Sequence, residues 1–70
     1  MNKHDLEFLR LTSQLTHQRW LAAVTEVETG RRPQPEGDGD WSARLPEFRP
    51  MVEAEGAYMR AAKMFHGRSE

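Results

Sequence analysis

Residues 3–29 contain neither proline nor glycine, and this uninterrupted stretch limits the fold more than any other feature of the sequence. Asn2 is suited to cap a helix here, and Asp5 falls in its first turn, where a carboxylate meets free amide groups. At about 1.5 Å per residue such a helix is about 40 Å long, so the element that packs on it must also be long. We predict a helix over residues 3–29.

The apolar residues of this helix fall into two stripes when they are placed at about 100° per residue. The first stripe consists of Phe8, Leu11, Leu15 and Ala22. The second stripe consists of Leu6, Leu9, Trp20, Val24 and Val27. A helix that packs on one partner needs only one apolar stripe. Two opposed stripes therefore predict that one side is covered within the chain and the other by a second chain.

Residues 30–40 contain no hydrophobic side chain and hold three of the five glycines. Gly30 suits the left-handed backbone position that ends a helix. Pro33 and Pro35 favour extended backbone at the residues that precede them, which opposes continuation of the helix. We therefore predict a loop over residues 30–40.

A turn and a second helix follow this loop. Because Pro46 and Pro50 each remove a backbone donor, we predict a turn over residues 41–49. Pro50 fits the first turn of a helix that covers about 50–66 and stops at Gly67. The sequence thus predicts an all-α fold, with residues 1–70 forming a single two-helix antiparallel hairpin.

The small size of the chain predicts self-association. With 70 residues, of which 37% are hydrophobic, a chain rarely stabilises itself without disulfides, a structural metal or association. The absence of cysteine removes disulfides and thiolate zinc sites. We expect the hairpin to dimerise into a four-helix bundle. The residues predicted to form the dimer interface or to bind another partner are Leu6, Leu9, Trp20, Val24, Val27 and Met59.

No set of residues in the sequence has the spacing of a catalytic or metal centre. His4, His17 and His66 lack the three- or four-residue spacing that places two ligands on one helical face. A calcium-loop register is partly matched by Glu36, Asp38, Asp40, Ser42 and Glu47. However, Trp41 occupies the position that requires glycine, and Arg44 occupies a position that requires an oxygen ligand. We predict a protein that is not an enzyme and that binds no metal or cofactor.

Charge and hydropathy limit the partners. The formal net charge of -1 provides no long-range field that would recruit nucleic acid or an acidic membrane. No apolar run is long enough to span a bilayer, and the first residues lack the apolar centre of a signal peptide. We expect a soluble, cytoplasmic protein without membrane contact. A polar rim or a local phosphate-binding patch is expected from Arg31, Arg32, Arg44 and Arg49.

These features favour a small protein-interaction module that acts as an inhibitor, adaptor or regulatory subunit. It would bind an unidentified protein, as well as its own copy, through helical apolar surface with arginines at the edge. Two alternatives remain open at the level of the sequence. One is a nucleic-acid-binding regulator that uses the arginines near the loop, and the other is an accessory subunit of an enzyme.

Overall fold

A computed structural model describes residues 3–67, which form two α-helices joined by an irregular segment. Helix α1 spans Lys3–Glu28, a short 3-10 helix spans Trp41–Arg44, and helix α2 spans Phe48–Gly67. These described residues contain no β-strand. The all-α class and the arrangement as a two-helix hairpin are therefore confirmed, whereas dimerisation remains a prediction.

Helix α1 ends at a glycine in the left-handed conformation. Gly30 has a φ of 80° and its N–H donates to the carbonyl of Val27 (3.1 Å). The next two amides, of Arg31 and Arg32, both donate to the carbonyl of Glu26 (2.8 and 3.1 Å). These bonds satisfy the last carbonyls of the helix and turn the chain away from its axis.

Helix α2 begins two residues earlier than the predicted residue 50. Pro50 is its third residue and lies in the first turn, where amide groups have no acceptor within the helix, so a missing N–H costs nothing there. The Phe48 amide donates to the carbonyl of Leu45 (3.0 Å), which connects the helix to the turn before it. Pro50 therefore indicates which residues form the first turn of α2, but it does not indicate which residue begins the helix.

The two helices pack antiparallel. Trp20 near the end of α1 contacts Phe48 at the start of α2, with ring centroids 5.9 Å apart in an edge-on arrangement. Near the other end, Arg10 lies close enough to Tyr58 for an electrostatic interaction. The most buried residues, at 1% to 6% exposure, are Ala23, Leu45, Met51 and Ala61. The alanines in this set let the helix backbones approach closely.

The hairpin is a thin plate. Its Cα atoms extend over 49 × 21 × 13 Å, as expected of two helices that lie side by side in a single layer. Both broad faces of the plate are therefore formed by side chains of the same two helices. Within residues 3–67, neither helix combines the length and the hydropathy that a bilayer-spanning segment needs.

Candidate protein-interaction surface

The structure places most of the predicted interface residues toward the interior of the hairpin. The predicted residues on α1 are only partly exposed, and they are Leu6, Leu9, Trp20, Val24 and Val27. They share one side of the helix with Ala23, which is 1% exposed. The indole Nε1–H of Trp20 donates to the backbone carbonyl of Ser42 (2.8 Å), which fixes this side toward the rest of the chain. Of the predicted set, Met59 on α2 is the exposed residue.

The first stripe of α1 is instead the exposed one. Phe8, Leu11 and Leu15 are exposed to 68%, 52% and 48%, and Ala22 is exposed as well. With Gln18, which lies between Leu15 and Ala22 on the same side and is exposed, these residues form a continuous surface that we call the α1 seam. The stripe that is available to another chain is thus the one that we had expected to pack within the hairpin.

A second exposed apolar surface lies on α2. Val52 and Met59 are exposed to 46% and 60%, and they flank a cavity of about 290 Å³ that Met51, Glu55 and Gly56 complete. Val52 also lines a neighbouring cavity of about 360 Å³. The two cavities therefore adjoin each other at Val52. We call this surface the α2 patch, and its members are Phe48, Val52 and Met59.

The α1 seam and the α2 patch lie on different sides of the hairpin. Arg19, one helical turn after Leu15, lines a cavity of about 220 Å³ together with Pro50 of α2, so the seam adjoins the face that carries Pro50. Val52 follows Pro50 by two residues and therefore points to the other side of α2. The hairpin thus exposes large apolar side chains on both faces.

Arg32 joins the two helices at the loop end. Its guanidinium nitrogens contact the carboxylates of Glu47 (2.9 Å) and Glu26 (3.0 Å). The hydrogen bond from Arg32 holds the pKa of Glu47 below its usual range, and the bond to Glu47 raises the pKa of Arg32. This arginine is therefore engaged within the chain and is only partly available as a polar rim.

The Arg32–Glu47 pair predicts a pH dependence of stability. Because the pKa of Glu47 is lowered on folding, its contribution is present at neutral pH and is lost as the pH falls through the lowered value. In thermal melts at about pH 7, Glu47→Gln should melt a few degrees below the wild type, and at about pH 3 this difference should be smaller. Glu53→Gln, which changes an exposed glutamate on α2, should follow the wild type at both values. An equal difference between Glu47→Gln and wild type at both pH values would contradict the role of this pair.

Arg44 is engaged by the backbone of the acidic loop. Its guanidinium donates to the carbonyl of Glu36 (2.9 Å) and also to that of Asp38. Gly37 between them has a φ of 121°, and a Cβ at this position would collide with the guanidinium. The loop therefore wraps around a cation of its own chain, which occupies carbonyl oxygens of the segment that resembled a calcium loop.

The other polar residues of this segment have structural contacts. Asp40 caps the 3-10 helix, because its Oδ1 accepts from the amide (3.1 Å) and the hydroxyl (2.7 Å) of Ser42. These bonds hold the pKa of Asp40 below its usual range. Among residues 3–67, no group of three or more histidines and carboxylates is arranged to hold a metal ion. Four arginines are predicted to form a rim. Arg32 and Arg44 make the contacts described above, whereas Arg31 and Arg49 are exposed and take no part in them.

The hydropathy pattern shows both stripes, but the more exposed one is the first stripe and not the second, which contains the predicted interface residues of α1. A signal for this difference is present in the sequence. Alanine and hydroxyl residues suit a close helix contact, and Ala23 and Thr16 lie on the side of Trp20. No family model matches this chain, and no curated protein and no solved structure matches it either. The surfaces described above are therefore the basis for a functional proposal.

Proposed function

We propose that this chain is a small, non-catalytic interaction module that associates with itself into a four-helix bundle and binds another protein as an inhibitor, adaptor or regulatory subunit. One observation carries the proposal: large apolar side chains are exposed on both faces of a plate one helix thick. They are Phe8, Leu11, Leu15, Leu21, Val52, Met59 and Met64. Exposed apolar surface of this extent, rimmed by polar residues, is typical of protein-binding sites.

The total surface area supports the proposal. A compact monomer of 8.1 kDa exposes about 4,500 Å², whereas this chain exposes 5519 Å². The difference reflects an elongated two-helix hairpin, which buries less of its own surface than a compact monomer does. A second chain would cover part of the surface that the hairpin leaves exposed.

The chemistry of the α2 patch favours an amphipathic helix as the foreign partner. Val52 and Met59 offer an aliphatic and a thioether side chain, and methionine adapts its shape to different apolar anchors. Glu55 lines the same cavity and carries a negative charge at its edge. A helix with large apolar residues on one face and a lysine or arginine beside them would complement this patch.

The contacts of the arginines favour a protein over nucleic acid. Arg32 is paired with two carboxylates, and Arg44 donates to two backbone carbonyls. Of the four arginines near the loop, Arg31 and Arg49 take no part in these contacts, and carboxylates lie nearby in the same segment. Such an arrangement provides a polar rim for a protein interface, whereas nucleic-acid binding needs several free cations on one surface.

Affinity capture from the native cell, followed by binding measurements with the purified partner, tests this proposal. Met59→Glu should weaken binding at least about tenfold, because it buries a charge against an apolar partner. Glu28→Lys, an exposed charge reversal near the end of α1, should leave binding close to that of the wild type. Cross-linking should map the contact to an amphipathic helix of the partner. Failure to recover a stoichiometric partner, or equal binding by Met59→Glu and wild type, would contradict the proposal.

A further inference from the structure

The residues of the α1 seam follow the spacing of a coiled coil. Their positions alternate in steps of three and four, and they are Phe8, Leu11, Leu15, Gln18 and Ala22. This alternation averages 3.5 residues, which keeps a stripe facing one partner helix as two helices wind around each other. Since α2 packs on the other stripe of α1, the partner helix that this spacing fits lies outside the hairpin.

The middle of the seam lies in the longest uncharged stretch of α1. Residues 11–18 contain no aspartate, glutamate, lysine or arginine, although 30% of the whole chain is charged. Charged residues adjoin the stretch at both ends. Arg10, which contacts Glu7 (2.5 Å), precedes it, and Arg19 follows it. The centres of protein interfaces are depleted of charged residues in this way, with charges kept for the edge.

We propose that a second copy of this chain covers the seam, with the two α1 helices antiparallel and Leu11 of each copy facing Leu15 of the other. This inference rests on the self-association in the proposed function and gives it a surface and a register. Two leucine pairs then lie around the twofold axis. In the next layers outward, Phe8 of each copy faces Gln18 of the other.

Electrostatics favour the antiparallel arrangement. A parallel pair would bring the two acidic loops, each with Glu36, Asp38 and Asp40, to the same end of the dimer. An antiparallel pair places these loops at opposite ends of a plate that extends over 49 Å. It also aligns the two α1 dipoles in opposite directions. Like-charge contacts are thus avoided and the uncharged stretches meet at the centre.

Helix α2 adds a second row of contacts on the same face. Pro50 adjoins the seam through Arg19, and Ala57 and Met64 follow Pro50 at intervals of seven residues. Met64 is exposed to 59%. The face that the second copy covers therefore spans both helices, so that the dimer is a four-helix bundle rather than an isolated pair of α1 helices.

Single cysteines test the register, because the natural chain contains none. Leu11→Cys and Leu15→Cys proteins, carrying tags of different mass, would be oxidised separately and as a mixture. We expect disulfide dimers mainly in the mixture, since residue 11 of one copy faces residue 15 of the other within bridging distance. Strong cross-linking of each variant with itself would indicate a parallel pair and overturn the proposal, as would absence of cross-linking in the mixture.

Light scattering at micromolar concentration separates this inference from the proposed function. The wild type should have the mass of a dimer, and Leu15→Glu should raise the dimer dissociation constant at least about a hundredfold, because the symmetric interface receives the charge twice. Met59→Glu makes the same kind of change on the opposite face and should remain a dimer. Circular dichroism would verify that both variants keep their helices. A monomeric wild type, or a dimeric Leu15→Glu, would overturn the inference, while partner capture through the α2 patch would still be measurable.

Discussion

Replacement of Trp20 by alanine is expected to lower the free energy of unfolding by about 3 kcal/mol, which is a large part of the stability of so small a chain. The indole joins three parts of the fold: it extends from α1, contacts the Phe48 ring of α2 at 5.9 Å and donates to the Ser42 carbonyl at 2.8 Å. Its removal leaves a gap at the loop end of the hairpin and an unpaired carbonyl beside it.

Urea denaturation monitored by circular dichroism at one fixed protein concentration measures this loss, since association also contributes to stability. Trp20→Phe keeps an aromatic ring but removes the donor, so it should cost about 1 kcal/mol for the lost hydrogen bond, with a further loss from the smaller ring. Trp41 remains in both variants as a fluorescent reporter. A stability of Trp20→Ala within 1 kcal/mol of the wild type would contradict the role of Trp20 as the anchor between the helices.

Replacement of Leu45 by alanine should cost about 3 kcal/mol as well. Leu45 is 3% exposed and is the largest aliphatic side chain among the most buried residues, so its truncation leaves a cavity that the surrounding backbone fills only in part. It follows the 3-10 helix directly, and its carbonyl accepts the first amide of α2 from Phe48 (3.0 Å). A cavity here loosens the connection between the turn and the second helix.

Leu21→Ala is the matched control, because it removes the same atoms from a leucine that is 46% exposed on α1. Alanine and leucine both favour helices, so this control should change the unfolding free energy by less than about 1 kcal/mol. The comparison uses the same denaturation measurement for both variants. Similar losses in the two proteins would show that Leu45 does not have the central position in the core that the structure gives it.

Much of the fold was predictable because local signals at the ends of the helices agree with the pattern inside them. Gly30 has the left-handed conformation that ends α1, and Pro50 lies in the first turn of α2. The start of α2 at Phe48 was not predictable from the proline alone, since all positions of a first turn tolerate a missing amide. The bonds of the Phe48 and Met51 amides to the preceding turn decide it.

The candidate surface was predictable only as a pair of alternatives. Both stripes of α1 contain aliphatic residues and one aromatic ring, so their hydropathy does not decide which one packs within the chain. The stripe that packs within the chain is the one whose Trp20 finds a hydrogen-bond acceptor in the turn. This acceptor is the backbone carbonyl of Ser42, 22 residues further along the chain. Local periodicity contains no information about such a distant contact. The contacts of Arg32 and Arg44, two of the four predicted rim arginines, were not predictable for the same reason, because their partners lie elsewhere in the chain.

The position of these polar contacts has a consequence for the order in which the molecule folds. Arg32 to Glu47 and Trp20 to Ser42 close segments of 15 and 22 residues, whereas pairing of the start of α1 with the end of α2 closes a much longer one. Because the entropy lost on closure grows with the length of the segment, the loop end assembles first and pairing proceeds along the helices. The register of the two helices is therefore set before most of their length is in contact, which suppresses sliding of one helix along the other.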